Sequence, residues 1–445
     1  MYDDLRRSID SAFPRLRQIL DDLVRIPSVS AAGHDPAEVR RSAEYTAARY
    51  REAGFPEVRL LEIAGAHPAV LAEIPAPEGA PTVLLYAHHD VQPAGPDEEW
   101  STPPFEPVEQ DGRLFGRGTS DDKANVVLHL GAIGAFDGRP PVGVKVLIEG
   151  EEEIGSRHLG DFLEAYTDQL SADVIVIADC ENWRVGTPAF TISLRGLTDC
   201  VVEVRTLKTA VHSGMFGGTF PDALTVLARL LATLHDEDGN VAVPGLLSGD
   251  APPLDLTEEE LRDQAGVLPS VEQIGEGTLT ARMWRKPAIS VVAIDAPPIS
   301  QAINQLVPVA RAKVSMRIAP GEDPARALDA LVAHLESHVP WGAELTVTRG
   351  AMGEAFDLDS SGPAYDTFRE AFTAAWGTAP VDIGVGGSIP FVAAFSRLYP
   401  DAPIVLTGVA DPLSRAHGPD ESQDLDELRR GMLAEAIVLR LLTAG

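Results

Sequence analysis

Three carboxylates and two imidazoles, Asp121, Glu153, Asp179, His88 and His417, are scattered along this sequence at positions suited to holding a metal. Four of the five follow an apolar run: TVLLYA before His88, VKVLIEG before Glu152 and Glu153, VIVIA before Asp179 and, less directly, PIVLTG upstream of His417. Oxygen and imidazole donors without a thiolate suit Zn, Mn or Co rather than an iron–sulfur cluster. Apolar runs of about five to seven residues bounded by Gly, Pro and Asp read as buried strands, and alternation with helices makes the sheet mostly parallel. Ligands of open α/β sheets bind beyond the carboxyl ends of the strands, so the five side chains are expected to converge on one crevice.

Each local string offers more than one chemistry. In LLYAHHDVQP a strand delivers His88, His89 and Asp90 into a loop, where Asp90 suits the task of fixing the His88 ring. His89 is expected to face the other way, because adjacent side chains on a strand alternate. In GRGTSDDKANVVLHL, Asp121 and Asp122 open a helix, either as simple caps or with one carboxylate bridging two cations through its two oxygens. His129, inside that helix, reads as a packed or surface histidine. In IEGEEEIGSRHL, Glu151, Glu152 and Glu153 are either a solvated run or acids turned into a crevice. Buried acids are costly without cations, and of two neighbours one can ligate while the other stays free as a general base.

The elements that must position these groups follow from periodicity. Ile9, Leu16, Ile19, Leu20 and Leu23 have helical spacing, with Pro14 expected to kink or break the helix. Strand and helix patterns then alternate to about residue 190, the signature of an α/β domain. From residue 192 the character changes to alternating strands, a helix over PDALTVLARLLATLHD, a capping box at Thr257 and Glu260, and further strands near Ala288 to Ile294 and Ala312 to Ile318. That order suggests one antiparallel sheet with helices on one face. The α/β style returns near residue 351. The expected fold is therefore an α/β domain, residues 1–191 and 351–445, with a mostly parallel sheet and flanking helices, into which an α+β domain, residues 192–350, is inserted.

Composition excludes several classes of function. At 445 residues, with 44% hydrophobic content, the chain is long enough for two cores. A formal net charge of −31 repels polyphosphate and anionic lipid, so neither nucleic acid nor membrane is an expected partner. The start, MYDDLRRSIDSAF, lacks the apolar core of a secretory signal, and no stretch approaches the ~18 apolar residues of a membrane span, so a cytoplasmic location is expected. Cys180 and Cys200, the two cysteines, form no disulfide framework.

Taken in order, HHDVQP, GRGTSDDKA, EEEIGS, IAD followed by ENW, AVHSGMFGG, GGSIP and RAHGPDES resemble the dinuclear zinc metallopeptidases. That superfamily takes in carnosinase-like dipeptidases, carboxypeptidase G, aminoacylase and the acetylornithine and succinyl-diaminopimelate deacylases. The resemblance covers essentially the whole chain and is nearest to the cytosolic dipeptidases. It implies two divalent metal ions, zinc foremost, with His88 and Asp179 on one, Glu153 and His417 on the other and Asp121 bridging. It also implies Asp90 as the residue that orients His88, Glu152 as general base, and a cis peptide after Asp121. In the inserted domain it implies His212 as an oxyanion donor reaching a neighbouring subunit, and Arg317, Ser388 and, more weakly, Asn304 as substrate ligands. The implied activity is dipeptide hydrolysis by a homodimer joined through the inserted domain; an N-acyl amino acid amidohydrolase is the alternative. One departure is visible, Ala87 where glycine is usual before the first histidine.

Overall fold

The computed structural model describes residues 2–251, 253–387 and 389–443, and Ser388 therefore lies outside the described residues. Contacts divide the chain into two compact units. The first comprises Met1–Ile192, Leu358–Ile383 and Pro390–Gly445, and the second Ser193–Asp357 with the short segment Gly384–Ile389.

The first unit is built on a six-stranded sheet, in the order Glu57–Leu61, Ala69–Ile74, Gly143–Glu149, Thr82–His88, Val174–Ala178, Ile404–Thr407. Its last four strands run parallel, and the first two join antiparallel. The parallel strands read as continuous apolar runs because both faces are covered: all seven residues of Gly143–Glu149 and all five of Val174–Ala178 are buried. Val83, Leu85, Val144, Val146, Ile148 and Val405 are fully buried in one core, each worth ~1.5–3 kcal/mol relative to exposure. Register levels the strand ends. His88 stands opposite Glu149, Thr407 stands opposite Ala178, and the chain continues with His89 N–H bonded to Glu149 O at 2.8 Å and Asp179 N–H to Thr407 O at 3.0 Å.

Helices Asp3–Val24, Lys123–Gly134 and Leu425–Leu441 share that core. The second of these is packed on every side, and at Gly131 even a Cβ would come 2.5 Å from Met432 Sδ. The first helix runs unbroken through Pro14, against the expectation of a break. Its apolar stripe, Leu5, Ile9, Phe13, Leu16 and Leu20, is buried on both sides of the proline, so packing outweighs the lost hydrogen bond.

The second unit has a four-stranded antiparallel sheet ordered Ala288–Asp295, Val309–Ile318, Gly196–Arg205, Glu344–Gly353. Cys200, Val202, Val204, Val314 and Met316 point from alternate positions into a core with Val226 and Leu230 of helix Ala223–Ala232 and Leu331 and Leu335 of helix Pro324–His338. Asp222 caps the first of these helices, and the capping box of Thr257 and Glu260 opens helix Glu258–Ala265.

Candidate metal centre

Because the strand ends are level, the loops that follow them meet. His88 closes its strand, fully buried, with Nε2 3.0 Å from Asp121 Oδ1 and 3.6 Å from Asp179 Oδ1. Its Nδ1 faces Asp90, 3.1 Å from the carbonyl and 3.4 Å from Oδ1. A carbonyl can only accept, so in the neutral ring Nδ1 carries the proton and the Nε2 lone pair points into the crevice, the form that binds metal. Across the crevice, His417 Nε2 lies 3.1 Å from Asp121 Oδ2 and 3.1 Å from Glu153 Oε2. Asp121 thus meets one imidazole with each of its oxygens.

Among the described residues, two groups could hold a cation: His88, Asp122 and Asp179, and Asp121, Glu153 and His417, with donor atoms within 4.8 Å in each. Asp122 was not among the expected donors. Its oxygens are taken by His88 N–H at 2.9 Å and by the Asn125 amide, whereas those of Asp121 face the imidazoles, which leaves Asp121 the freer donor for both groups. The peptide between the two aspartates is cis.

The three glutamates have three different surroundings. Glu151 is buried and accepts from His67 N–H and from His158 Nδ1, both at 2.8 Å. Glu153 Oε1 accepts from Gln92 N–H at 3.0 Å and Oε2 from Gln92 Nε2 at 2.9 Å. Glu152 bonds through its backbone N–H to Asp90 Oδ1 at 3.2 Å, and Glu153 N–H to Asp90 Oδ2 at 3.1 Å. Asp90 therefore positions the glutamate turn as well as the His88 ring. His89 turns away to Pro68 O at 3.0 Å, and burial lowers its pKa to about 4; His129 pairs with Glu435 at 2.8 Å in the core.

Two residues inside the quoted motifs escaped sequence reasoning. Glu421 is fully buried and accepts from Arg117 Nη1 at 2.6 Å and from the backbone N–H groups of Gly118, Ser120 and Asp121, each at 3.0 Å. Arg117 in turn donates through Nη2 to His417 O at 3.0 Å and Gly418 O at 3.2 Å. This buried pair ties the loop carrying Asp121 to the loop carrying His417. It also holds His417 at φ 65, a left-handed conformation that costs a non-glycine residue energy and persists only when the surroundings enforce it. Only their place in GRGTSDDKA and RAHGPDES could have singled them out.

The electrostatics suit cations. Burial, then repulsion from neighbouring acids, pushes the Glu152 carboxyl well up; burial also raises Glu153 and Asp179. Hydrogen bonds to Asp121 and Glu153 pull His417 up to about 10. Acids that hold protons beside imidazoles that gain them make a cluster short of positive charge, which divalent cations supply. The donor set thus fits a pair of such ions.

In the second unit, His212 pairs with Gln305 in a two-stranded ribbon and its exposed ring accepts Gly214 N–H on Nδ1 at 3.0 Å. Asn304 adjoins it, its carbonyl accepting Ser213 N–H at 3.1 Å. Arg317 lies near the end of strand Val309–Ile318.

An α/β sheet whose strand ends gather two acid and imidazole groups around a shared carboxylate, beside a glutamate whose carboxyl has no partner among the described residues, defines a hydrolase of the metallopeptidase class. The model of peptidase family M20/M25/M40 matches residues 84–440, and the chain belongs to that family. A cysteinylglycine-S-conjugate dipeptidase of Corynebacterium striatum is 34% identical over 440 residues, covering 97% of this chain and 96% of that protein. A Cys-Gly metallodipeptidase, dug1, of Schizosaccharomyces pombe is 27% identical over 463 residues, 97% of this chain and 96% of its own. The structure of human carnosine dipeptidase 1 matches with a TM-score of 0.83 at 25% identity, over 100% of this chain and 99% of that one.

Proposed function

We propose that this chain is a dipeptidase that cleaves the amide bond next to a C-terminal amino acid carboxylate, with two divalent cations of which zinc is the first candidate and Mn or Co the others. His88 and Asp179 would hold one ion, Glu153 and His417 the second, and Asp121 both. Bound there, the ions supply Lewis acidity that makes water a nucleophile near neutral pH and polarises a carbonyl.

The observation that carries the reading is the contrast between Glu153, bonded through both oxygens, and Glu152, whose carboxyl accepts no hydrogen bond from any described residue. Glu152 is free to take a proton from the attacking water and to pass it to the leaving amine. Asp90 keeps it at the crevice by holding its backbone. The dipeptidase names of the relatives favour peptide over N-acyl substrates.

His212 is proposed as the oxyanion donor. Its Nδ1 accepts a backbone N–H, so its neutral ring must carry the proton on Nε2, the exposed nitrogen that a developing oxyanion needs. Arg317, Ser388 and Asn304 are proposed to hold the substrate, the guanidinium by a bidentate grip on its carboxylate. A homodimer joined through the inserted unit would bring His212 to the partner's site. The sheet edge Ala288–Asp295 supports this, since Val291, Val292 and Ile294 lie exposed at 41%, 56% and 54% on an edge strand that pairs on one side with Val309–Ile318. Two buried free thiols are consistent with a reducing, cytoplasmic setting, and no described helix is long and apolar enough to cross a membrane.

Free-amine dipeptides assayed against N-acyl amino acids, before and after chelation and with Zn, Mn or Co restored, test the reading. We expect cation-dependent cleavage of dipeptides. Preferential cleavage of N-acyl amino acids would overturn it in favour of the amidohydrolase.

A further inference from the structure

Glu151, the first acid of the glutamate run, is buried to 2% exposure and belongs to neither metal group. A buried carboxylate is costly unless its oxygens are bonded, so its partners show what it holds. Oε1 accepts from His67 N–H at 2.8 Å. Oε2 accepts from His158 Nδ1 at 2.8 Å and, at the long limit for a hydrogen bond, from His158 N–H at 3.4 Å. An apolar side chain would fill the same space without the cost of desolvation; what the carboxylate adds is direction.

These partners reach the glutamate turn from two segments. His67 and Pro68 form the loop ahead of strand Ala69–Ile74, and Pro68 O accepts from His89 Nε2, the neighbour of His88, at 3.0 Å. At Gly150 a Cβ would come 2.6 Å from Pro68 O, so glycine is what lets this loop lie against the turn. His158 stands just before helix Leu159–Leu170. The main chain of Glu151 acts in the same sense, its carbonyl accepting Ile154 N–H at 3.2 Å and Ser156 N–H at 2.9 Å. The second of these bonds helps hold Ser156 at φ 47, a left-handed conformation that a non-glycine residue keeps only when its surroundings enforce it. Asp90 grips the turn by the N–H groups of Glu152 and Glu153. A turn held along one edge can still pivot, and Glu151 supplies the second anchor.

We propose that Glu151, backed by His158, is a positioning residue for the general base, fixing the turn Glu152–Ile154 so that the Glu152 carboxyl stays aimed at the crevice. This rests on the reading of Glu152 as the base and gives a task to the one glutamate of the three that the reading leaves out. Aim matters because a reacting group displaced by about 1 Å can cost on the order of 100-fold in rate.

The test measures kcat, KM, bound cations and amide hydrogen exchange in the metal-replete wild type, Glu151→Met, Glu151→Gln, His158→Phe and Glu152→Gln, each below its melting temperature. Glu151→Met, similar in size but without an acceptor, should lose kcat on the order of 10- to 100-fold, keep its KM and its cations, and exchange faster over residues 152–155. Glu151→Gln, which keeps an oxygen for His67 N–H, should recover part of the rate. His158→Phe, at a position 30% exposed, should lose kcat several-fold and carries the test if the methionine variant does not fold. Unchanged kcat in Glu151→Met, or in His158→Phe where it stands alone, would overturn the proposal. So would a loss of kcat that follows a loss of cations, or one that glutamine does not relieve, since either marks a merely structural acid. An inactive Glu152→Gln beside a fully active Glu151→Met would reject the positioning role and leave the base in place, whereas full activity in Glu152→Gln would remove the reading beneath it.

Discussion

Both oxygens of Glu153 are engaged by Gln92 and one of them also by His417, while its neighbour Glu152 has a carboxyl with no described partner. Substitution should therefore separate the two. Glu152→Gln is expected to keep its cations and lose turnover by roughly 10²–10⁴-fold, the usual contribution of a general base. Glu153→Gln should release the cation of its own group, and metal analysis by mass spectrometry beside an activity assay checks both. Full activity in Glu152→Gln would remove it as the base. That the five scattered side chains meet was legible because each stands at a motif or strand end that opens on the crevice, and their part as donors is what the metal analysis tests. The bond of Asp122 to His88 N–H was not legible, because it depends on a backbone turn that no periodicity reports. Glu421 and Arg117 were hidden for a related reason: their task is to bond main-chain groups, which leaves no pattern of spacing.

At the scale of elements, the site depends on two loops held by one ion pair. Glu421→Gln would leave the buried Arg117 guanidinium without its counter-charge, and breaking one partner of such a pair costs about 3–5 kcal/mol. The expected result is that loss of stability in denaturant titration, together with weaker metal binding as the His417 loop loosens. Unchanged stability would show that the pair is incidental. The strand below carries a separate pH response. Glu149, at the end of a strand buried along its whole length, accepts from Tyr86 Oη at 2.7 Å, and burial lifts its pKa from 4.5 to about 7. The native state then holds a proton that the unfolded chain releases, so this group's contribution declines as pH rises from about 4.5 to 7. Glu149→Gln should flatten that decline in the metal-free protein, by on the order of 3 kcal/mol at most. An unaltered profile in urea titrations at pH 5 and pH 8 would count against it. The parallel strands were readable as apolar runs, whereas the helix through Pro14 was not, because its continuity comes from tertiary burial that overrides a local breaker.

For the molecule as a whole, the insertion was legible as a change of style, from apolar runs to alternating strands and back. The grouping of Gly384–Ile389 with the second unit was not, since so short a glycine-rich segment carries no sequence pattern that reports its partners. What the second unit leaves exposed leads to the broadest prediction. Val291, Val292 and Ile294 stand on an edge strand with free backbone groups, the feature that proteins either blunt with charge or cover with another chain. Here the edge is apolar, and Ile299 just beyond it is 95% exposed. If a second copy covers it and supplies His212, then Val292→Asp with Ile294→Asp should yield monomers in analytical ultracentrifugation. Such monomers should retain their cations, because every proposed donor belongs to the first unit, yet lose turnover to the level of His212→Ala. Mixing His212→Ala with Glu152→Gln before subunit exchange should restore part of the activity, since each mixed dimer then holds one intact base facing one intact histidine. Monomers as active as the wild type, or mixtures with no recovery, would place the oxyanion donor within a single chain.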